Sequence, residues 1–147
     1  MDDCVFCAIV AGRTAAHRLV EDEHTVSFLN IAPATLGHAL VVPRRHAEGL
    51  WDLEEEEHAR VARTAGRVAR LLRAALDPAG VNLVHATGEA AWQSVFHFHV
   101  HVVPRYRADE LEVMWRSAPV PDAELAALRA RVLASGPPRP EADRPGR

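Results

Sequence analysis

Between Val95 and Val103 the chain reads Val-Phe-His-Phe-His-Val-His-Val-Val, with apolar residues and histidines in strict alternation. Alternate side chains of a β-strand share one face and lie roughly 6.6 Å apart along it. The run therefore predicts a strand over Val95–Val103 with two unlike faces. Phe96, Phe98, Val100 and Val102 make one of them, and His97, His99 and His101 the other. Burial of the apolar side fixes the register, because a slip of one residue would exchange the faces. The histidine side is left to line a cleft or a subunit surface. One histidine in a strand is ordinarily a hydrogen-bonded structural residue, but three at this spacing point to chemistry.

The surrounding sequence predicts a frame for that strand. His17–Glu21 and Thr25–Asn30 read as short strands separated by the polar Asp22-Glu23-His24, and His38–Val42 as a third, stopped by Pro43. A helical turn is expected near Trp51. A long helix then follows, with Asp52 and Glu55 in a capping-box pattern, Glu54–Glu57 at its positive end, and Val61, Ala65, Val68 and Leu72 as a buried stripe. Asp77-Pro78-Ala79-Gly80 ends it. Val81–Ala86 reads as a strand and Thr87–Ala91 as a loop. The Val95–Val103 strand is closed by Pro104, and Asp122–Leu133 forms a helix capped by Asp122. Residues 1–134 are read as one domain, with a core over 4–107 and a helical extension over 122–133. The Pro- and Arg-rich residues 135–147 are read as a disordered tail. The pattern is that of an α+β domain with a mainly antiparallel five-stranded sheet. One long helix covers only one face of such a sheet, so a homodimer is the expected way to cover the rest.

Composition narrows the function classes. No apolar stretch approaches the ~20 residues needed to cross a bilayer and no leader opens the chain, so no membrane partner and a cytoplasmic location are expected. A net charge of −3 gives no electrostatic case for nucleic acid polymers. Arg60, Arg63, Arg67 and Arg70 recur at helical spacing and read as a solvated face. The two cysteines, Cys4 and Cys7, form a Cys-x-x-Cys pair ahead of any strand signal. In a reducing compartment that pair reads as a metal clip or a redox pair, and its position disfavours the redox reading.

Two chemistries suit three same-face histidines. One is a three-histidine zinc site with an open water position. The other is covalent catalysis, with a neutral imidazole attacking phosphorus. Residues 97 to 101 span about 13 Å of strand, too far to wrap easily round one ion with ligand distances of roughly 2.0–2.1 Å. The covalent reading fits better. Gln93-Ser94 before the strand offers an amide and a hydroxyl as neutral donors, and the Thr87-Gly88 turn can present backbone N–H groups to an anion.

His97-Phe98-His99-Val100-His101-Val102-Val103 resembles the signature of the histidine triad family, in which apolar residues alternate with three histidines. Gln93-Ser94-Val95, Asn30, Pro33, Gly37-His38 and Pro43-Arg44-Arg45-His46 extend the resemblance, which runs from Cys4 to about Arg107. It implies a homodimeric α+β fold whose sheets join across the interface. It also implies hydrolysis or transfer at the α-phosphate of small nucleotides such as dinucleoside polyphosphates or nucleoside phosphoramidates. His99 would be the nucleophile, forming a nucleotidyl–imidazole intermediate. His101 and His38 would hydrogen-bond the phosphate oxygens, and Ser94 would donate to the leaving group. Asn30 matches the ribose-binding position, and Val5, Phe6, Phe28 and Ile31 match the apolar slot for the base. The resemblance further implies one structural zinc per chain, held by Cys4, Cys7, His46 and His97 as a closed four-ligand set, and no organic cofactor. Ala86 stands where relatives often carry Asn or Gln, so one side-chain contact near the phosphates is missing or replaced.

Overall fold

Helix α2, Glu55–Leu76, starts where its acidic residues close their own first turn. Glu57 Oε2 accepts the Glu54 N–H at 3.0 Å, satisfying a donor that no helical carbonyl can reach. This corrects the expected Asp52/Glu55 box. Asp52 instead accepts the Gly49 N–H at 2.9 Å and closes the preceding single turn, Leu50–Asp52. Val61, Ala65, Val68 and Leu72 are buried as the periodicity required, with Thr64 beside them. The helix stops at Asp77, which adopts a left-handed conformation (φ 46°) and donates its N–H to Arg73 O at 3.1 Å. Arg60 and Arg63 pair with Glu56 and Arg67 with Asp22, so this face is a solvated, ion-paired one.

The structure, a computed structural model, describes residues 4–112 and 117–135. The chain divides into two compact units, Met1–Leu111 and Glu112–Arg147. In the first, strands β1 (Arg18–Glu21), β2 (Thr25–Leu29), β3 (Ala39–Pro43), β4 (Gly80–Val84) and β5 (Val100–Arg105) form one antiparallel sheet in the order β1-β2-β3-β5-β4. This is the five-stranded α+β architecture read from the sequence. In the second, helix α3 spans Asp122–Ala134 and its side chains are exposed. Pro121 precedes it and no side chain caps it, so Asp122 is its first residue and not the cap expected of it. The remainder of the tail, 136–147, lies outside the described residues. No helix among the described residues is long and apolar enough to cross a membrane.

The two sheet faces bury different partners. Ala39, Val41 and Val102 pack with Phe98 against the α2 stripe. On the opposite face Val26, Phe28, Leu40 and Val42 pack with Phe6 and Ile9 of a short helix the sequence reading lacked, α1, Val5–Val10. Cys4 caps it, its Sγ accepting the Cys7 N–H at 3.4 Å. The second face is thus partly covered from within the chain, which corrects the reason given for a dimer. A different feature remains open. Among the described residues strand β4 pairs only with β5, lies at the sheet edge, and leaves Val81 and Leu83 about half exposed, at 46% and 52%.

The histidine-bearing strand is shorter than its alternation suggested, and its N-terminal half is not strand. Regular pairing begins at Val100. Phe98 donates its N–H to Ala47 O at 2.6 Å, away from the sheet ladder, and Phe96 is exposed where the pattern placed it in the core. At its other end β5 continues through Pro104. The Pro104 carbonyl accepts from Thr35 Oγ1 at 2.6 Å, so its N–H-less nitrogen faces that same side, beyond the last β3 pair at Val102. No ladder bond is lost there, and the strand tolerates the proline.

Candidate active site and metal cluster

β3 runs antiparallel beside β5, with Leu40 opposite His101, so its two ends lie under opposite ends of the histidine run. His38 precedes β3 and His46 follows it. This divides the triad. His101 meets His38 at one end, His97 meets His46 at the other, and His99 lies between.

At the first end hydrogen bonds assign the ring protons. Ala34 donates its N–H to His38 Nδ1 at 3.0 Å, so the neutral ring carries its proton on Nε2. That Nε2–H donates to His101 Nδ1 at 2.8 Å, which leaves the His101 proton on Nε2. His99 holds the opposite tautomer. Its Nδ1 lies 2.7 Å from His97 O, a carbonyl that can only accept, so Nδ1 is the donor and Nε2 keeps a free lone pair. Burial pushes the His38 and His99 rings below the ordinary histidine range and His101 down to about 4, so all three are neutral near pH 7. The Phe6 ring stands edge-on to the His99 ring, with centroids 5.2 Å apart.

The remaining expected residues divide. Asn30 lies beside this group, its Nδ2 3.5 Å from His38 Nε2 and its Oδ1 accepting the Ala32 N–H. Ser94 is exposed, and no hydrogen bond among the described residues engages its hydroxyl. Gln93 is buried, and its amide is fully engaged: Oε1 accepts the Gly88 N–H at 2.7 Å while Nε2 donates to Glu48 O and Val95 O. It braces the loop, and the Gly88 N–H expected to face an anion is consumed by that brace. Of the apolar slot, Phe6 and Phe28 pack edge to face at 5.5 Å in the core, whereas Val5 is 45% and Ile31 96% exposed.

At the second end the Cys4, Cys7, His46 and His97 donor atoms all lie within 4.8 Å of one another. Cys7 Sγ is 3.3 Å from His46 Nδ1, and both sulfurs are 3.5 Å from His97 Nδ1. A tetrahedron with metal–sulfur and metal–nitrogen distances of about 2.3 and 2.0–2.1 Å has S···N edges of roughly 3.6 Å, so the spacing fits a metal ion. The tautomer fits as well. His97 is fully buried and its Nε2–H donates to Pro43 O at 2.9 Å, which leaves the Nδ1 lone pair turned to the sulfurs. Burial and the neighbouring Cys4 thiol push the Cys7 thiol up, an arrangement that a bound cation would reverse. These residues can hold a metal ion of the zinc type. With four protein ligands it would tie α1 to the sheet and leave no open position for water.

One residue near the triad, His85, carries no mark in the sequence, and the Thr87 side chain serves that ring instead of an anion. His85 donates from Nδ1 to His99 O at 2.8 Å and Thr87 meets its Nε2 at 2.5 Å. A single histidine after a strand carries no spacing pattern, so nothing in the sequence marked it.

Residues 11–108 match the model of the HIT domain. The chain is 37% identical over 117 residues to Protein hit of Bacillus subtilis, covering 79% of this chain and 81% of that one. The chain belongs to the HIT family. Within the family it is also 35% identical to the adenosine 5'-monophosphoramidase hnt1 of Schizosaccharomyces pombe, over 85% of this chain and 92% of the relative. A zinc-bound histidine triad family protein of Mycobacterium smegmatis superposes with a TM-score of 0.73 at 41% identity, covering 92% of this chain and 99% of the other. A HIT family member from Bacillus subtilis superposes with a TM-score of 0.86 at 31% identity, over 93% and 99%.

Proposed function

We propose that this HIT protein is a nucleotide-phosphate hydrolase or transferase that acts at the α-phosphate through a covalent nucleotidyl-His99 intermediate. The observation that carries this reading is the His99 Nδ1–H bond to His97 O, which holds Nε2 as the free nucleophilic nitrogen of a neutral ring. His99 Nε2 attacks the α-phosphorus, a P–N bond forms, and the bond to the leaving group breaks. The leaving group takes a proton from the Ser94 hydroxyl, which regains it from the attacking water in the second step. His101 Nε2–H, backed by the Nε2–H bond from His38, faces developing charge on the phosphate oxygens. Water then cleaves the P–N bond, returning neutral His99 and a nucleoside monophosphate. Asn30 holds the ribose, and the aromatic pair Phe6 and Phe28 backs the base. The phosphoramidase named among the relatives makes nucleoside phosphoramidates the first substrates to test, with dinucleoside polyphosphates second.

In this reading Cys4, Cys7, His46 and His97 hold one structural zinc, the core at 4–107 carries the activity, and the two thiolates suit a reducing cytoplasm. A zinc hydrolase built on the triad would need its three rings to converge, but His97 Nδ1 turns to the cysteines and His101 Nδ1 to His38. The exposed β4 edge supports a homodimer with sheets joined there.

The test is to mix the protein with adenosine 5'-phosphoramidate, quench within one turnover, and map any adenylyl adduct by mass spectrometry. The adduct is expected on His99. His99→Ala is expected to lose turnover by about three orders of magnitude or more while still binding AMP. Wild-type turnover in that variant sinks the covalent mechanism.

A further inference from the structure

Strand β4 separates from the sheet just where β5 needs it. The register runs Leu83 opposite Val102 and Val84 opposite His101, so two more residues would set Ala86 opposite His99. β4 ends at Val84, however, and no backbone bond among the described residues reaches His99 O. A carbonyl left unpaired beside the nucleophile would leave its peptide free to rotate. The His85 side chain fills the gap. Its Nδ1–H donates to His99 O at 2.8 Å, in place of the missing ladder amide.

The ring that does this is itself held on three sides. Its face lies 4.1 Å from the Phe98 ring at a tilt of 33°. Its Nε2 accepts from the Thr87 hydroxyl at 2.5 Å, and that oxygen accepts the Leu50 N–H at 2.7 Å. His58 donates from Nε2 to Leu50 O at 3.2 Å and stands edge-on to Phe98 at 5.5 Å, closing the loop. Gly49 makes the approach possible, since a Cβ there would lie 2.7 Å from Thr87 Cγ2. Such a support would be wasted on a passive surface histidine.

We infer that His85 is a positioning residue for the reaction: through its bond to His99 O it fixes the peptide that aims the His99 ring. The inference rests on the reading of His99 as nucleophile. His99 Nδ1 takes its direction from His97 O and its ring from its own backbone, and neither His97 nor His99 lies within regular strand. His85 supplies the constraint that the strand does not.

Three variants separate positioning from packing. Asn places its amide nitrogen where His Nδ1 stands, so His85→Asn keeps donation to His99 O and gives up Thr87. Gln reaches instead to the Nε2 position, so His85→Gln keeps Thr87 and gives up His99 O. His85→Leu gives up both. With adenosine 5'-phosphoramidate as substrate, His85→Gln and His85→Leu are expected to lower kcat by about 10- to 100-fold with KM within about twofold. His85→Asn is expected to stay within about threefold of wild type in kcat, whatever its melting temperature. Equal kcat in the Asn and Gln variants, or losses that follow melting temperature instead of the hydrogen bond, overturns the inference. His99→Ala is measured beside them. If it is inactive while His85→Gln turns over like wild type, positioning falls and the nucleophile stands. If His99→Ala is itself fully active, both fall.

Discussion

Removing the zinc proposed for the Cys4, Cys7, His46 and His97 cluster is expected to release α1 and leave the sheet folded. α1 is six residues long, whereas isolated helices below roughly 12–15 residues are marginal in water even with favourable sequences. Two of its side chains are buried, Phe6 and Ile9, each worth about 1.5–3 kcal/mol. The Arg18 guanidinium on Ile9 O adds a charge-assisted hydrogen bond of about 1.5–3 kcal/mol. The sum is roughly 5–9 kcal/mol. Fixing the backbone of six residues costs about 1–2 kcal/mol each, or roughly 6–12 kcal/mol. The two sides cancel to within a few kcal/mol, so side-chain burial alone leaves α1 on the edge of detachment. A metal tying Cys4 and Cys7 to His46 and His97 contributes on the order of 10 kcal/mol. Amide hydrogen exchange reads the difference directly. The Ala8, Ala11 and Gly12 amides, bonded to the Cys4, Cys7 and Ile9 carbonyls, are expected to lose several orders of magnitude of protection on chelation, up to the limit set by the stability of the sheet. Val41 and Val102 in the sheet core should keep theirs. Full protection at Ala8, Ala11 and Gly12 in protein shown to be metal-free by elemental analysis would refute the balance. Simultaneous loss throughout the sheet would refute the independence of α1.

Two further outcomes follow from the site and the sheet edge. Burial holds the folded pKa values of His38 and His101 below 6.5, that of His101 at about 4, so their stabilising contribution is complete above 6.5 and is lost as pH falls towards 4. Melting temperature should therefore hold down to 6.5 and fall below it, whereas kcat/KM, which reports the folded enzyme, should fall only as pH approaches the depressed folded values, and an acid limb of kcat/KM centred at or above 6.5 would contradict the neutral pair. Leu83→Arg, on the half-exposed β4 edge, is expected to convert a dimer into a particle with the mass of one chain in sedimentation, with the circular dichroism spectrum unchanged; a dimer that survives it moves the interface elsewhere.

Much of the fold was legible because its elements follow simple periods. The α2 stripe of Val61, Ala65, Val68 and Leu72, and the short apolar runs of β2 and β3, bury as their spacing requires. α1 was not legible. Val-Phe-Cys-Ala-Ile-Val has no polar face, and its helicity comes from a Cys4 cap, a residue type outside the usual capping set, and from docking against Phe28 and Leu40, which lie far away in sequence. The start of β5 was overread for a related reason: alternation reports which side a residue faces in an extended chain, but not whether a neighbour is there to pair. Phe98 turns its N–H to Ala47, and that bond depends on a loop some fifty residues away in sequence. The four metal-type ligands were readable as residue kinds and came together in space. The amide of Gln93 was read as free because sequence cannot say which backbone groups will claim it.

The three histidines show how one repeated residue acquires three chemistries without any change in the strand's sequence pattern. An imidazole offers one donor and one acceptor when neutral, and whichever nitrogen meets a carbonyl must be the donor. His97 meets Pro43 O with Nε2, so its Nδ1 faces the thiols and has the basicity of a ligand. His99 meets the carbonyl of residue 97 with Nδ1, so its Nε2 is bare and faces the opposite way round the ring. Among the described residues His101 meets no carbonyl. It receives a proton from His38 at Nδ1 and is left as a donor at Nε2. The outcome depends on two backbone carbonyls and one distant histidine: Pro43 O and His38 come from β3 and its flank, and His97 O from the run itself. An alternating run laid on a different partner strand would keep its two faces and lose this division. The functional unit is therefore the pair β3 and β5 together, with His38 and His46 at the two ends of one strand selecting what His101 and His97 become on the other.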